Sequence, residues 1–307
     1  MRGKSYDAEA MVATDGHLDR EVTSMHRRFT SFVAHVLVAC VPALGLVMAV
    51  GAGTASAAHN PVNARAAALA ALKHLEIGEH ATNHPLPGHS PRVKGASAST
   101  NWAGYADTKT SGKYTKVTGS WTQPTGSCGS AQSFAAFWVG IDGFASNTVE
   151  QDGTLIQCRG GTATYFSWWE MFPHALHTVS TAVRPGDHIT SSVTRSGTSY
   201  TLKVTDSTHP AASFSTSHTC AAATCVDSSA EWIAEAPSGS SGILPLTKFD
   251  SWALTGATVN AGTKSGTIRT FPNQKITMVN NGGQVKAQTG ALNSAGNQFK
   301  VAWRRST

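Results

Sequence analysis

The chain has 307 residues, 40% of them hydrophobic and only 14% charged, with 24 Lys and Arg against 18 Asp and Glu. That hydrophobic share supports a core and excludes disorder driven by charge, and the charged share falls well below the roughly 25% usual in globular proteins. The net charge of +6 is dispersed, with no Lys/Arg run, which argues against the basic stripe of a nucleic-acid binder.

In chain order, Met25-His26-Arg27-Arg28 is a basic start, Phe29 to Val50 is mostly apolar, and Gly51 to Ala57 is a small-residue run ending Ala55-Ser56-Ala57. This is the layout of a secretory signal peptide over residues 1–57. The apolar span is long enough to cross a bilayer, but Pro42 and the Ala-x-Ala end favour cleavage, and no stable membrane association is expected afterwards. Residues 61–82 read as helix. Asn60 suits the cap, Pro61 the first helical position, and Ala66 to Leu72 is a strong helix-forming run. Leu69, Leu72, Leu75 and Ile77 give it an apolar side. His59, His74, His80, His84 and His89 crowd the same stretch, and Pro85, Pro87 and Pro91 end it. Residues 58–96 read as a linker or as a propeptide whose histidines charge on acidification and release it.

From about Ser97 apolar and polar residues alternate between Gly, Asn, Ser and Pro turns. Examples are Tyr114 to Trp121, Phe134 to Ile141, Tyr165 to Phe172, His188 to Arg195, Tyr200 to Asp206, Ala230 to Ala236 and Phe249 to Val259, with 262–301 continuing in the same style. Many short strands at regular spacing predict an all-β sandwich or barrel over residues 97–307. Beyond the leader four cysteines remain: Cys128, Cys158, Cys220 and Cys225. An even count in an exported chain predicts two disulfides. Three pairings are possible, of which Cys128–Cys158 with Cys220–Cys225 is preferred.

Residues 96–307 hold only four glutamates, Glu150, Glu170, Glu231 and Glu235, so few carboxylates are available for acid–base work. On a strand Glu231, Ile233 and Glu235 share one face and would floor an acidic cleft. Glu170 shares a face with Phe166, Trp168 and Phe172, where desolvation should raise its pKa, as a general acid requires. Any one of these carboxylates could equally serve only to bond neighbouring strands. There is no Gly-x-Ser-x-Gly elbow, His-Glu-x-x-His helix, Walker loop or EF-hand loop. Neither a metal nor a cofactor is implied. Trp121, Trp252 and Trp303 read as packing residues, and Asp142 as a turn residue before Gly143.

Five segments taken together resemble the glutamic peptidases, or eqolisins (peptidase family G1). They are Ser99-Thr100-Asn101-Trp102-Ala103-Gly104, Phe137-Trp138-Val139-Gly140-Ile141-Asp142-Gly143, Thr148-Val149-Glu150-Gln151, Trp168-Trp169-Glu170-Met171-Phe172-Pro173 and Ala230-Glu231-Trp232-Ile233-Ala234-Glu235. The resemblance runs from about residue 97 to 260. It implies an antiparallel, concanavalin A-like β-sandwich and an endopeptidase acting on polypeptides at acidic pH. It places the catalytic glutamine on Gln151 and the catalytic glutamate on Glu235 rather than Glu231. It gives Trp102, Trp138, Asp142 and Glu170 lining or supporting positions. Gln157 is a second candidate for the glutamine, because the stretch from Gly143 to Gln151 needs a small gap. Residues 96–307 depart from the acidic fungal members in carrying 15 basic and 11 acidic side chains. A secreted monomer is expected. Two rivals stand beside this reading. One is a glycosidase using Glu170 with Glu235, and the other a carbohydrate-binding sandwich stacking sugars on Trp168, Trp169 and Trp232.

Overall fold

The computed structural model describes residues 61–78, 97–108, 113–221 and 223–307. The expected leader, the Asn60 cap, and His59, His80, His84 and His89 lie outside the described residues. The main strands are β1 (Trp102–Thr108), β2 (Tyr114–Thr122), β3 (Ser133–Ile141), β4 (Val149–Arg159), β5 (Thr162–Phe172), β6 (His188–Ser196), β7 (Ser199–Asp206), β8 (Phe214–Thr219), β9 (Ser229–Glu235), β10 (Ser251–Ala261), β11 (Asn273–Val279), β12 (Val285–Thr289) and β13 (Phe299–Trp303). They run in one hydrogen-bonded path, β8-β7-β6-β2-β10-β13-β12-β11-β1-β9-β3-β4-β5, and every adjacent pair in it is antiparallel.

The path folds over so that β2, β6, β7 and β10 face β3, β4 and β9, making an antiparallel β-sandwich. Trp121, Phe137, Val139, Trp232, Trp252 and Leu254 belong to the core between the layers. The outer layer shows the alternation expected of a sheet with one wet face: β6 and β7 switch between buried and open residues along their length. The inner layer does not alternate. β1 and β9 are buried throughout, and β3 and β4 at all but one end residue, because the sandwich core covers one face and a second apolar cluster covers the other. The strands there lie close. A Cβ on Gly153 of β4 would stand 2.0 Å from the Phe137 carbonyl oxygen, so only glycine fits.

The second cluster joins Trp102, Trp138, Leu155, Phe166, Trp168 and Ile233 to Ala68, Leu72, Leu75 and Ile77. The N-terminal segment is therefore packed on the sandwich. Its helix α1 spans Pro61–Ala71, followed by a single 3-10 turn, Leu72–His74. This corrects the expected helix over 61–82. From Leu75 the backbone is extended, and Glu76 forms an antiparallel bridge with Ser238. Leu75 and Ile77 gain burial that way and Glu76 between them gains two strand-like backbone bonds, which outweighs weak helical propensity at a helix end. The disulfides are Cys128–Cys158 and Cys220–Cys225, the preferred pairing. No helix among the described residues is long and apolar enough to cross a membrane.

Candidate active site

Two strand positions supply the central side chains. Gln151 on β4 lies opposite Gly140 of β3 and Glu170 of β5. Glu235 ends β9, opposite Ala136 of β3 and Trp102 of β1. All three polar side chains are buried. Glu235 is held from several sides. The Trp138 indole Nε1 donates to its Oε2 at 2.9 Å, and the Asn101 amide Nδ2 to its Oε1 at 3.3 Å. The Gly78 backbone N–H donates to both oxygens at 3.1 Å. Trp102 packs edge-on against Trp138 with ring centroids 5.0 Å apart.

Gln151 uses both amide hydrogens. Nε2 donates to Glu170 Oε2 at 3.0 Å and to the Ile77 carbonyl oxygen at 2.7 Å. Two acceptors on one side fix which end of the amide is nitrogen. Glu170 is thus a positioning residue for the Gln151 donor. The Ile77–Gly78 peptide unit lies between the two side chains, its C=O on Gln151 and its N–H on Glu235. Glu76 holds the segment in line, donating N–H to the Ser238 carbonyl at 3.0 Å and accepting from the Ser238 N–H at 2.9 Å.

Burial pushes the Glu235 carboxyl well above the usual carboxylate range, against the opposing pull of the bonds from Gly78, Trp138, Trp102 and Asn101. Glu170 is also raised, first by burial and then by the charge of Glu235, with the Gln151 amide pulling the other way. This is the direction expected for Glu170 from its aromatic neighbours. Two close, desolvated carboxyls do not both ionise readily, so the pair retains a proton over acidic pH.

The other expected positions fall elsewhere. Asp142, at φ 69°, accepts from the Asp227 and Ser228 N–H groups at 2.7 Å each and from the Ser228 hydroxyl at 2.9 Å. It is the turn residue the sequence indicates, and its bonds fix the 227–228 loop rather than Gln151 or Glu235. Glu231 is buried at the far end of β9, where the charges acting on it are Asp142, Asp107 and Glu150. It therefore does not join Glu235 in an acidic cleft floor, which corrects that expectation. Gln157 lies six residues beyond Gln151 on the same strand, ~20 Å away at strand rise. Trp168 and Trp232 are fully buried, and His177 and His218 stack on Trp169 at 4.0 and 4.1 Å. None of the three is free to act as a sugar platform. Sequence reasoning passed over Asn101, although it stands inside a quoted motif, and the whole role of 75–78.

An amide donor and a carboxyl converging on one peptide unit, on the face of a β-sandwich, fit a peptide-bond hydrolase. The chain belongs to the Peptidase A4 family, whose sequence profile matches residues 100–303; it is a glutamic endopeptidase. Two solved structures share its fold. One is scytalido-glutamic peptidase with a transition state analog inhibitor, 23% identical over 67% of this chain and 98% of that one, with a TM-score of 0.57. The other is SCP-B, a member of the eqolisin family in complex with the tripeptide Ala-Ile-His, 23% identical over the same shares, with a TM-score of 0.55. No curated protein sequence matches the chain.

Proposed function

We propose that this is an exported, acid-acting, monomeric endopeptidase in which Glu235 and Gln151 form the catalytic dyad and residues 58–96 are a propeptide between leader and peptidase domain. The observation that supports the dyad is the Ile77–Gly78 unit, whose carbonyl oxygen meets Gln151 and whose nitrogen meets Glu235. Those are the two atoms that change charge or protonation during hydrolysis. Ionised Glu235 takes a proton from water as the water oxygen bonds to the scissile carbonyl carbon. Gln151 Nε2 donates to the oxygen that becomes negative; such a donor is worth ~3 kcal/mol. The C–N bond then breaks, and protonated Glu235 returns the proton to the departing nitrogen. A free carboxyl and a free amine result. Glu170 holds the Gln151 amide in the donating orientation throughout.

Export is supported by the leader pattern and by two disulfides, which persist in oxidising compartments. The test is digestion of a denatured protein at about pH 3 to 5, where a carboxyl can serve both as base and as acid, by wild type and by Glu235→Gln shown to be equally folded. Cleavage by wild type alone is expected. Equal cleavage by both would remove Glu235 from the chemistry.

A further inference from the structure

The strand-facing cluster of the inner layer is filled by the chain itself. Leu72, Leu75 and Ile77 pack among Trp102, Trp138 and Trp168, with Ile77 at 0% exposure. We propose that the Ile77–Gly78 bond is the first bond this site cuts, in place and within the same molecule, so that residues 75–78 are a built-in substrate. The inference rests on the dyad proposed above.

Four observations carry it. One peptide unit spans the site, its oxygen accepting from Gln151 Nε2 at 2.7 Å and its N–H donating to both Glu235 carboxyl oxygens at 3.1 Å. The backbone before it is tied down by a single antiparallel bridge, both Glu76–Ser238 bonds, the kind of pairing by which sheet edges hold extended peptides. Upstream, Arg65 on α1 anchors the segment. Its guanidinium donates to the carbonyls of Ser180, Tyr165 and Val179 at 2.8, 3.2 and 3.3 Å and lies 4.7 Å over the Phe166 ring. Finally, the residue after the bond is a glycine at φ +101°, where a Cβ would stand 2.2 Å from Gln151 Nε2. A side chain there would displace the oxyanion donor or lift the bond away from it. The segment thus presents a buried branched apolar residue on the acyl side and glycine on the amine side. Hydrolysis consumes one water and leaves a carboxylate at Ile77 and an amine at Gly78. The matched family region, which begins at residue 100, stays intact downstream of the cut.

The test uses the full chain, shifted from neutral pH to about pH 4, where the dyad is poised, and followed by intact mass and N-terminal sequencing. A denatured protein is added in parallel as an independent substrate. Wild type should yield a chain starting at Gly78, with a half-time unchanged by tenfold dilution, and Glu235→Gln should yield none. Gly78→Ala, with its sandwich verified by circular dichroism, should cut this bond at least ~100-fold more slowly, the loss typical of misplaced reacting groups. Digestion of the added protein with Ile77–Gly78 left whole would overturn the inference and leave the dyad standing. A half-time that lengthens in proportion to dilution would overturn cutting in place. Failure of both substrates would overturn the inference together with the dyad.

Discussion

At Gln151 one amide group does two jobs, and the second depends on the first. Its nitrogen reaches the Ile77 carbonyl because Glu170 takes the other hydrogen. Replacing Glu170 by Gln keeps the size but offers a donor as well as an acceptor, so the Gln151 amide can turn its oxygen toward residue 170. The expected result is a kcat lower by about 10- to 100-fold with KM nearly unchanged, short of the 10²–10³ lost when an oxyanion donor is removed outright. Gln151→Ala should reach that larger loss. The charge of Glu235 raises Glu170, whereas what acts on Glu235 is burial and the bonds from Gly78, Trp138, Trp102 and Asn101. Glu170 is therefore the protonated partner in acid, and Glu170→Gln should lower kcat while leaving the acid limb of kcat against pH in place. A limb that moves would show that Glu170 is charged while Glu235 titrates. Glu235 itself is surrounded by donors, and Glu235→Gln turns one of its acceptors into a fourth donor among Trp138, Asn101 and Gly78. Loss of activity there should come with a looser segment, visible as faster amide exchange at Gly78.

Among the elements, the segment from α1 to Gly78 is the one held by few contacts and most open to test. Arg65 makes three bonds to carbonyls of the β5 region. Hydrogen bonds from a charged donor are worth about 2 kcal/mol, which is roughly 30-fold in an opening equilibrium. Arg65→Ala in the Glu235→Gln background should therefore raise the rate at which an added neutral protease cuts within 61–78 by about that factor. An unchanged rate would mean that the apolar contacts alone hold the segment. The sequence announced most of the sandwich, because β2, β6, β7 and β10 alternate as one-sided strands do. It announced β4 only as a motif. Val149 to Cys158 is buried on both faces, so no period of two is written into it. The docking of 75–78 was not legible either. A run such as Leu75-Glu76-Ile77 after an alanine-rich helix reads as more helix until Ser238, 162 positions later, is seen to pair with it. Within the site, alternation put Glu231 and Glu235 on one face and could not separate them. What separates them is nonlocal: Trp138 and Asn101 reach only the second. The family motifs supplied that choice and brought Gln151, Glu170, Trp102 and Trp138 with it. They also carried Asp142, whose bonds the fold spends on a neighbouring loop.

Taken as a whole molecule, the sandwich buries more carboxyls than its chemistry requires. Asp107 and Glu150 are pushed up to about 9, in both cases chiefly by burial, with Glu150 also facing Asp142 and Asp227. Asp152, Glu231 and Glu170 are raised well above the carboxylate range by burial as well. Around Asp107 and Glu231 stands the Tyr114 hydroxyl, itself raised, and around Glu150 the Tyr200 hydroxyl, also raised. Their nearby cations, Lys113 and Arg195, are engaged with Asp227 at 3.0 Å. In the unfolded chain these carboxyls titrate near 4. Between there and about 9 the folded protein holds the Asp107 and Glu150 protons that the unfolded chain has released, so stability must fall as pH rises, by up to about 1.4 kcal/mol per pH unit for each of the two, and the other raised carboxyls act in the same direction. The stabilisation is complete below the unfolded value and is lost on approach to the folded one. The melting temperature should accordingly be highest in acid and fall steadily from about pH 4 to pH 8, the opposite of the acid unfolding usual for proteins with paired carboxylates. Asp107→Asn and Glu150→Gln, which carry the proton's neutrality permanently, should each flatten that slope by about one proton's worth. Scanning calorimetry from acid to neutral pH reads both effects. A melting temperature that stays level or rises over that interval would show that these carboxyls are ionised in the fold. On the proposed acidic cycle of Glu235 between base and acid, a level or rising curve would leave the protein most stable outside its working range, whereas the falling curve places stability and that proposed catalysis in the same acidic window.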